Sequence, residues 1–249
     1  VRDCSIKKLR RTTYLHIPKA NVLRENFMKK GKLYGVSVGP GDPELMTLKA
    51  ARILREADVI ALPSGSKERC EAYKIAVQAV PEIDNKEFLM VPMPMTKDRN
   101  KLKEAHENGI KAVKELLDRG LTVAFLTIGD VGVYSSCQYI YQPIKKSGED
   151  TELICGVPSF CAAAARLDRP LVTGADRLHI IPATYDAEGL EKLDGVKVLM
   201  KPSKNLSGFK VRGHRVCGIE NCGKENEKIF DDAPAEGEDF GYYSLFIVE

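Results

Sequence analysis

Residues 31–61, GKLYGVSVGPGDPELMTLKAARILREADVIA, constrain the fold more than any other stretch of this chain. Residues 33–38 alternate as a strand does, and a glycine and proline turn follows at 39–43. Beyond the turn, apolar residues recur at the spacing of one helix face, and 58–61 predict the next strand; the helix positions are Met46, Ala50, Ile53, Leu54 and Ala57. The stretch predicts a β-turn-α-β unit, whose turn lies at the sheet edge where ligands usually bind.

The glycines of this turn do not have the spacing of a dinucleotide-binding loop. That fingerprint is G-x-G-x-x-G, whereas Gly35, Gly39 and Gly41 fall as G-x-x-x-G-x-G with Pro40 inserted. A nucleotide-dependent oxidoreductase on the same kind of sheet edge is therefore disfavoured. A tight connection that binds no ligand remains the alternative for this turn taken alone.

Two further glycine turns follow predicted strands in the first half of the chain. The apolar run 121–127 predicts a strand buried on both faces, and it ends at Ile128-Gly129-Asp130. A strand near 153–154 ends at the turn 156–159, which leads into an alanine-rich helix. All three turns could open on one edge of a single parallel sheet.

The spacing of apolar segments changes in the second half, which predicts a second domain. Short strands at 178–182, 196–200, 215–219 and 242–248 are joined by irregular segments, whereas the first half carries predicted helices at 71–80 and 99–118 and a short strand at 88–91. We predict an α/β protein with an N-terminal domain at 31–156, built on a mostly parallel sheet, and a C-terminal domain with a mixed sheet at 157–249. A ligand cleft is expected between them.

Composition and charge exclude several classes of protein. The chain has 249 residues, of which 43% are hydrophobic and 29% charged, with no apolar run long enough to span a bilayer and no secretory signal. From these two features we expect a cytoplasmic location and no membrane association. The seven cysteines are odd in number and scattered, which favours reduced thiols over a disulfide framework.

The net charge of +3 is unevenly distributed along the chain. Residues 1–31 hold nine basic and two acidic residues, a local +7, so the remainder carries 3 − 7 = −4. A slightly acidic body argues against binding to nucleic acid. Residues 1–30 are interpreted as a basic upstream extension or an expression remnant and are left out of the fold prediction, although a basic arm that binds a partner is an alternative.

Metal, hydrolase and nucleotide-hydrolase sites find little support in the sequence. His214, Cys217 and Cys222 lie close together, yet no C-x-x-C pair accompanies them, and we expect no metal site. There is no G-x-S-x-G elbow and no Walker P-loop. In GDVGVYSS, residues 129–136, Asp130 could cap the following helix or could help to bind a ligand.

Several motifs taken in order resemble the tetrapyrrole (corrin and porphyrin) methyltransferases. They are VSVGPGDPELMTLKAARILREADVIA, PMTKD, VAFLTIGDVGVYSS, GVPSFCAAAA, KVLMK, GIENCG and YYSLFIV, from about residue 31 to the C-terminus. The resemblance implies two α/β domains with S-adenosylmethionine bound between them, and a homodimer. PMTKD, FLTIGD with YSS, and GVPSFCAAAA look most like the precorrin-2 or cobalt-precorrin-2 C-20 methyltransferase branch of cobalamin biosynthesis.

The resemblance also assigns cofactor contacts, residue by residue. The expected contacts are Pro40 in the first turn, Ile128, Gly129, Asp130 and Val133 in the second, Pro158 and Ser159 in the third, and Met200 and Cys222 in the second domain. Val131 replaces the usual proline and Cys222 a glycine, so contacts there would run through the backbone. Pro63 stands where uroporphyrinogen methyltransferases carry an acidic residue, which argues against that branch.

Catalysis and substrate binding are expected to depend on few side chains. A sulfonium methyl group is already activated, so orientation and exclusion of water supply much of the rate. Asp42 is the candidate to steer the substrate or accept its proton, with a capping role as the alternative. Because the substrate carries eight carboxylates, Lys97 and Arg99, then Arg69 and Arg166, are the candidate substrate contacts. A non-catalytic tetrapyrrole carrier remains the rival hypothesis.

Overall fold

A computed structural model describes residues 30–182, 193–202, 215–232 and 240–249. The first sheet has five parallel strands in the order β3-β2-β4-β1-β5. Its strands are β1 (Lys32–Ser37), β2 (Val59–Leu62), β3 (Glu87–Met90), β4 (Thr122–Thr127) and β5 (Asp150–Ile154). The apolar run that predicted a doubly covered strand became β4, whose residues 123–126 are fully buried.

Helices cover both faces of this sheet. They are α1 (Leu48–Glu56), α2 (Glu71–Ala79), α3 (Arg99–Asp118) and α4 (Gln138–Lys146). Helices α1 and α2 pack on one face, and α3 and α4 on the other. Side-chain caps fix two of the helix starts, because Thr47 accepts from the amide of Ala50, and Asp98 from the amides of Asn100 and Lys101. Both faces are therefore sealed, and the carboxyl edge is left for ligands.

The second sheet is mixed and has the order β6-β7-β10-β8-β9. It comprises β6 (Leu178–Pro182), β7 (Val196–Met200), β8 (Val216–Glu220), β9 (Lys228–Phe230) and β10 (Ser244–Val248). Strands β6 and β7 are parallel, and the remaining neighbours are antiparallel. Helix α5 (Ser159–Arg166) packs on one face of this sheet, while an aromatic cluster around Phe246 covers the other.

The α/β class and the two predicted sheets are confirmed, with differences in detail. Strand β3 begins and ends one residue earlier than predicted, and β10 begins two residues later. The three-residue strand β9 was not predicted, because it is too short for an alternating pattern to show. The basic segment that precedes Lys30 lies outside the described residues. The same is true of His214, which was part of the metal hypothesis. No described helix has the length and apolar character that crossing a bilayer requires.

Candidate active site between the two sheets

The three glycine turns meet at the carboxyl edge of the first sheet, as the sequence predicted. They follow β1, β4 and β5, which are neighbouring strands. The Gly129 amide donates to the Gly39 carbonyl over 2.8 Å, and the Val131 amide donates to the Ser37 hydroxyl over 2.8 Å. These bonds join the first turn to the second and fix both as one surface.

Asp130 joins the second turn to the third. One carboxylate oxygen accepts from the Gly132 amide and the other from the Gly156 amide, each over 2.7 Å. The alternative that Asp130 caps a helix is wrong, because α4 begins only at Gln138. With both oxygens occupied by backbone donors, Asp130 holds the shape of the surface on which the predicted cofactor contacts lie.

The backbone at Gly129 is open on its outer side. Its φ of +70 lies in the left-handed region, and a side chain there would have the Ser159 amide nitrogen as its nearest neighbour, at 4.0 Å. Pro158 directly precedes Ser159, the first residue of α5. Gly129 is itself buried and lies close to Ser159, and Ile128 and Pro158 directly precede these two residues in the chain.

An apolar cluster borders the site and contains residues of both domains. From the second domain it contains the buried side chains of Phe160, Met200 and Cys222. Leu45 and Val133 pack against it from the first and second turns. The predicted contacts Val133, Met200 and Cys222 thus belong to one apolar cluster, which the second glycine turn joins through Val133.

The turn 221–224, named here the Cys222 turn, touches the first turn through backbone atoms. A side-chain carbon built on Gly41 would lie 2.1 Å from the Cys222 carbonyl oxygen, and one built on Gly223 would lie 2.6 Å from the Asp42 amide nitrogen. Glycine at both positions is what permits this approach. Burial, with the nearby Glu227, raises the pKa of the Cys222 thiol to about 11. The thiol is therefore neutral at physiological pH.

Asp42 has a structural task in addition to its predicted one. Its carboxylate accepts from the Glu44 amide over 2.8 Å and caps a short 3-10 turn at Pro43–Leu45. The capping role given as the alternative is confirmed. A part in proton transfer stays a prediction.

The four basic candidates for substrate binding have different surroundings. Lys97 and Arg99 are exposed on either side of Asp98, the cap of α3. Arg69 is exposed in the loop after β2. Arg166, in contrast, forms an ion pair with Glu227 at 2.6 Å, so its charge is partly matched within the protein. Contact of any of the four with substrate stays a prediction.

Two residues of the site were missed by the sequence argument. Ser37 is fully buried at the end of β1, and a hydroxyl closing an apolar strand was the available signal. Tyr134 has a φ of +46, and its hydroxyl donates to the Ile180 carbonyl in β6 over 2.9 Å. Tyr134 therefore connects the second turn to the second domain, a contact that no local pattern reveals.

Within the described residues, no group of three or more histidine, cysteine or acidic side chains could hold a metal ion. Two cysteines of the metal hypothesis are among the described residues. Cys217 lies within β8, and Cys222 belongs to the apolar cluster. The thiol of Cys217 accepts from the Arg169 guanidinium over 3.0 Å. Both thiols thus have packing roles.

The parallel sheet, whose edge loops pack against the apolar cluster of a second, mixed sheet, defines an α/β protein built on two sheets. The family model described as "Tetrapyrrole (Corrin/Porphyrin) Methylases" matches residues 32–236. The chain belongs to this family, whose members are methyltransferases.

Two curated relatives cover most of their own length. The "Probable cobalt-precorrin-2 C(20)-methyltransferase" of Methanocaldococcus jannaschii is 35% identical over 203 residues, which is 80% of this chain and 86% of the relative. The "Cobalt-precorrin-2 C(20)-methyltransferase" of Salmonella typhimurium is 29% identical over 88% of this chain and 96% of its own. The resemblance drawn from the motifs is therefore confirmed.

Solved structures confirm the fold. A uroporphyrin-III C-methyltransferase from Thermus thermophilus, in complex with S-adenosylhomocysteine, aligns with a TM-score of 0.62 at 20% identity. The alignment covers 88% of this chain and 97% of that one. At this identity, the likeness extends to the fold alone.

Proposed function

We propose that this protein is an S-adenosylmethionine-dependent C-methyltransferase that acts on carbon 20 of precorrin-2 or cobalt-precorrin-2 in cobalamin biosynthesis. The observation that carries the proposal is the 35% identity with a relative of that name over 80% of the chain. Another tetrapyrrole methyltransferase of the same pathway is the second candidate, and a non-catalytic tetrapyrrole-binding relative is the third.

The surface between the sheets fits an adenosine-containing cofactor. Apolar side chains of the cluster, among them Val133 and Met200, offer packing for a purine. Polar groups of the cofactor could bind backbone atoms near Gly129 and Ser159, and the resemblance adds Pro40, Ile128 and Pro158 to these contacts. Asp130 would keep this backbone in place, and Cys222 would contribute its carbonyl. S-adenosylmethionine, when bound, supplies a sulfonium-activated methyl group.

The chain's own contribution to methyl transfer is orientation and shielding. The joined turns and the apolar cluster would orient the bound cofactor and shield it, which favours in-line approach of the substrate carbon and exclusion of water. Lys97, Arg99 and Arg69 stand on the carboxyl edge of the first sheet, where they could pair with substrate carboxylates. Asp42, next to the Cys222 turn, would steer the macrocycle or accept the proton that leaves the methylated carbon.

The proposal includes a homodimer that works in the cytoplasm without a nucleic-acid partner. Support for the last point is the charge of −4 outside residues 1–31, because a phosphate-binding face requires a surplus of positive charge. Sedimentation of the purified chain would measure the oligomeric state directly.

The test is calorimetric titration of the full chain with S-adenosylmethionine and, separately, NADH, followed by methyl-transfer assays on precorrin-2 and cobalt-precorrin-2. We expect binding of S-adenosylmethionine near micromolar affinity, about −8 kcal/mol, and the gain of one methyl group by one of the macrocycles. Binding of NADH in its place would contradict the proposal. Macrocycle binding without transfer would favour the carrier.

The Asp42→Asn variant separates the two roles of Asp42. Asparagine caps a turn about as well as aspartate, so the cap and the thermal stability should be retained. A fall in kcat with unchanged affinity for S-adenosylmethionine would support the proton-accepting role. An unchanged kcat would leave Asp42 with capping alone.

A further inference from the structure

The Cys222 turn is held in an uncommon backbone shape within its own domain. Asn221 and Gly223 have φ values of +54 and +76, on either side of Cys222. The Gly223 amide donates to one carboxylate oxygen of Glu227 over 2.8 Å, and the other oxygen pairs with Arg166 at 2.6 Å. These bonds join the Cys222 turn to Glu227, the residue before β9, and through it to Arg166, the last residue of α5.

An ion pair joins the Cys222 turn to the first domain. The Lys224 ammonium lies 2.8 Å from a carboxylate oxygen of Glu71, the first residue of α2. The same ammonium lies 4.2 Å from the ring centre of Tyr243, the residue before β10. Lys224 thus touches elements of both domains while being two residues from Cys222.

This ion pair is more protected from water than a typical surface pair. The side chains of Lys224 and Glu71 are only 16% and 27% exposed, and the Tyr243 ring covers the ammonium. The hydrogen bond from Lys224, followed by that from Lys74, lowers the pKa of the Glu71 carboxyl. Because solvent screens it weakly, the pair can resist separation of the two domains at this point.

A second, uncharged contact pins the opposite side of the second sheet. Tyr134 of the second turn donates to the carbonyl of Ile180 in β6, at one edge of that sheet. Lys224 follows β8, beyond the central strand β10. The apolar cluster with Met200 and Cys222 is therefore held against the glycine turns from both sides.

We propose that Glu71 and Lys224 are positioning residues for methyl transfer, because their ion pair fixes the distance between the Cys222 turn and the first glycine turn. This inference rests on the proposed function, since it takes the space between these turns as part of the cofactor site. Loss of either charge removes this contact, so the Cys222 turn can move away from Gly41 and the site widens. Neither side chain needs to touch a ligand for this effect.

The test is calorimetric binding of S-adenosylhomocysteine to the full chain, with Glu71→Gln, Lys224→Gln, the double variant, Lys224→Arg and Lys74→Gln. Each single neutralisation is expected to raise Kd about tenfold, and the double variant about as much as either single one, because both break the same contact. Lys224→Arg should restore binding, since it keeps the charge and the stacking on Tyr243. Lys74→Gln is the matched control, because Lys74 pairs with the same carboxylate but belongs to the same helix.

Steady-state kinetics and thermal unfolding complete the design. KM for S-adenosylmethionine should rise in the neutralised variants and stay unchanged in the Lys74→Gln variant. A purely structural loss would instead lower the melting temperature of all variants and leave Kd unchanged. Additive effects in the double variant, or equal effects of Lys74→Gln and Lys224→Gln, would overturn the inference. A wild-type chain that binds no S-adenosylhomocysteine would contradict the proposed function itself, so the two failures are distinguishable.

Discussion

Replacing Gly41 by alanine is expected to force the first glycine turn away from the Cys222 turn. The added carbon would lie 2.1 Å from the Cys222 carbonyl oxygen, whereas ordinary contacts begin at 3.4 Å, so one side must move by about 1.3 Å. The φ of Gly41 is not in the left-handed region, so alanine can adopt the backbone and the effect is purely steric. Both atoms in the clash are held by backbone, and neither can turn aside as a flexible side chain would.

The size of the effect follows from this displacement. Overpacking of this kind destabilises by about 1–3 kcal/mol. A displacement of about 1 Å at a site that works by orientation lowers kcat/KM by about 100-fold. The two numbers separate folding from function, because the melting temperature should fall by about 2–12 °C, which leaves the chain folded, while kcat/KM falls about 100-fold.

The assay compares Gly41→Ala with Gly65→Ala by thermal unfolding, S-adenosylhomocysteine titration and methyl transfer. Gly65 is a matched control for stability and cofactor binding, because an added carbon there would meet only the tip of Arg69, a candidate contact of the substrate and not of the cofactor, at 3.2 Å. We expect weak binding for the first variant and wild-type binding for the second. Equal affinities for Gly41→Ala and the wild type would refute the argument that the two turns are in register for the cofactor.

Three further expectations follow from individual side chains. Asp130→Ala removes two hydrogen bonds to a charged acceptor and should lower the free energy of unfolding by about 2–4 kcal/mol. Asp130→Asn should lower it by about half as much, and urea unfolding measures both values. Alkylation near pH 8 followed by mass spectrometry should modify the exposed Cys155 before Cys222, whose pKa of about 11 keeps the thiol protonated, and the rate at Cys222 should climb as pH rises. The hydrogen bond from Lys224 lowers the pKa of Glu71 below its usual value of 4.5. The difference in free energy of unfolding between wild type and Glu71→Gln should therefore be constant around neutrality and shrink as pH falls below about 4.5. A difference that grows in acid would contradict the ion pair.

The sequence sufficed for those parts of the fold that depend on local pattern. Alternation predicted β1, a continuous apolar run predicted β4, and the glycine turns after them predicted the edge that carries the site. Strand β9 gave no signal, since three residues are too few for alternation to show.

The contacts that shape the site could not be predicted, because they join residues far apart in the chain. The Val131 amide and the Ser37 hydroxyl are 94 positions apart, and Lys224 and Glu71 are 153 apart. Asp130 was predicted as a cofactor contact from resemblance, yet its bond to Gly156 appears only once β4 and β5 flank β1. Sequence pattern reports which residues reach the edge, and topology decides which of them meet.

The backbone contact between the first turn and the Cys222 turn also has a consequence for how the protein is made. Gly41 lies near the start of the fold, whereas Cys222 lies close to its end, so the contact closes a very long loop of chain. Such closures come late in folding, after the local βα units of the first sheet have formed. On the ribosome, the first sheet can therefore assemble before the apolar cluster of the second sheet covers its carboxyl edge. We expect the emerging chain to expose Leu45 and Val133 until the second sheet forms, which makes this edge a candidate for protection by a chaperone.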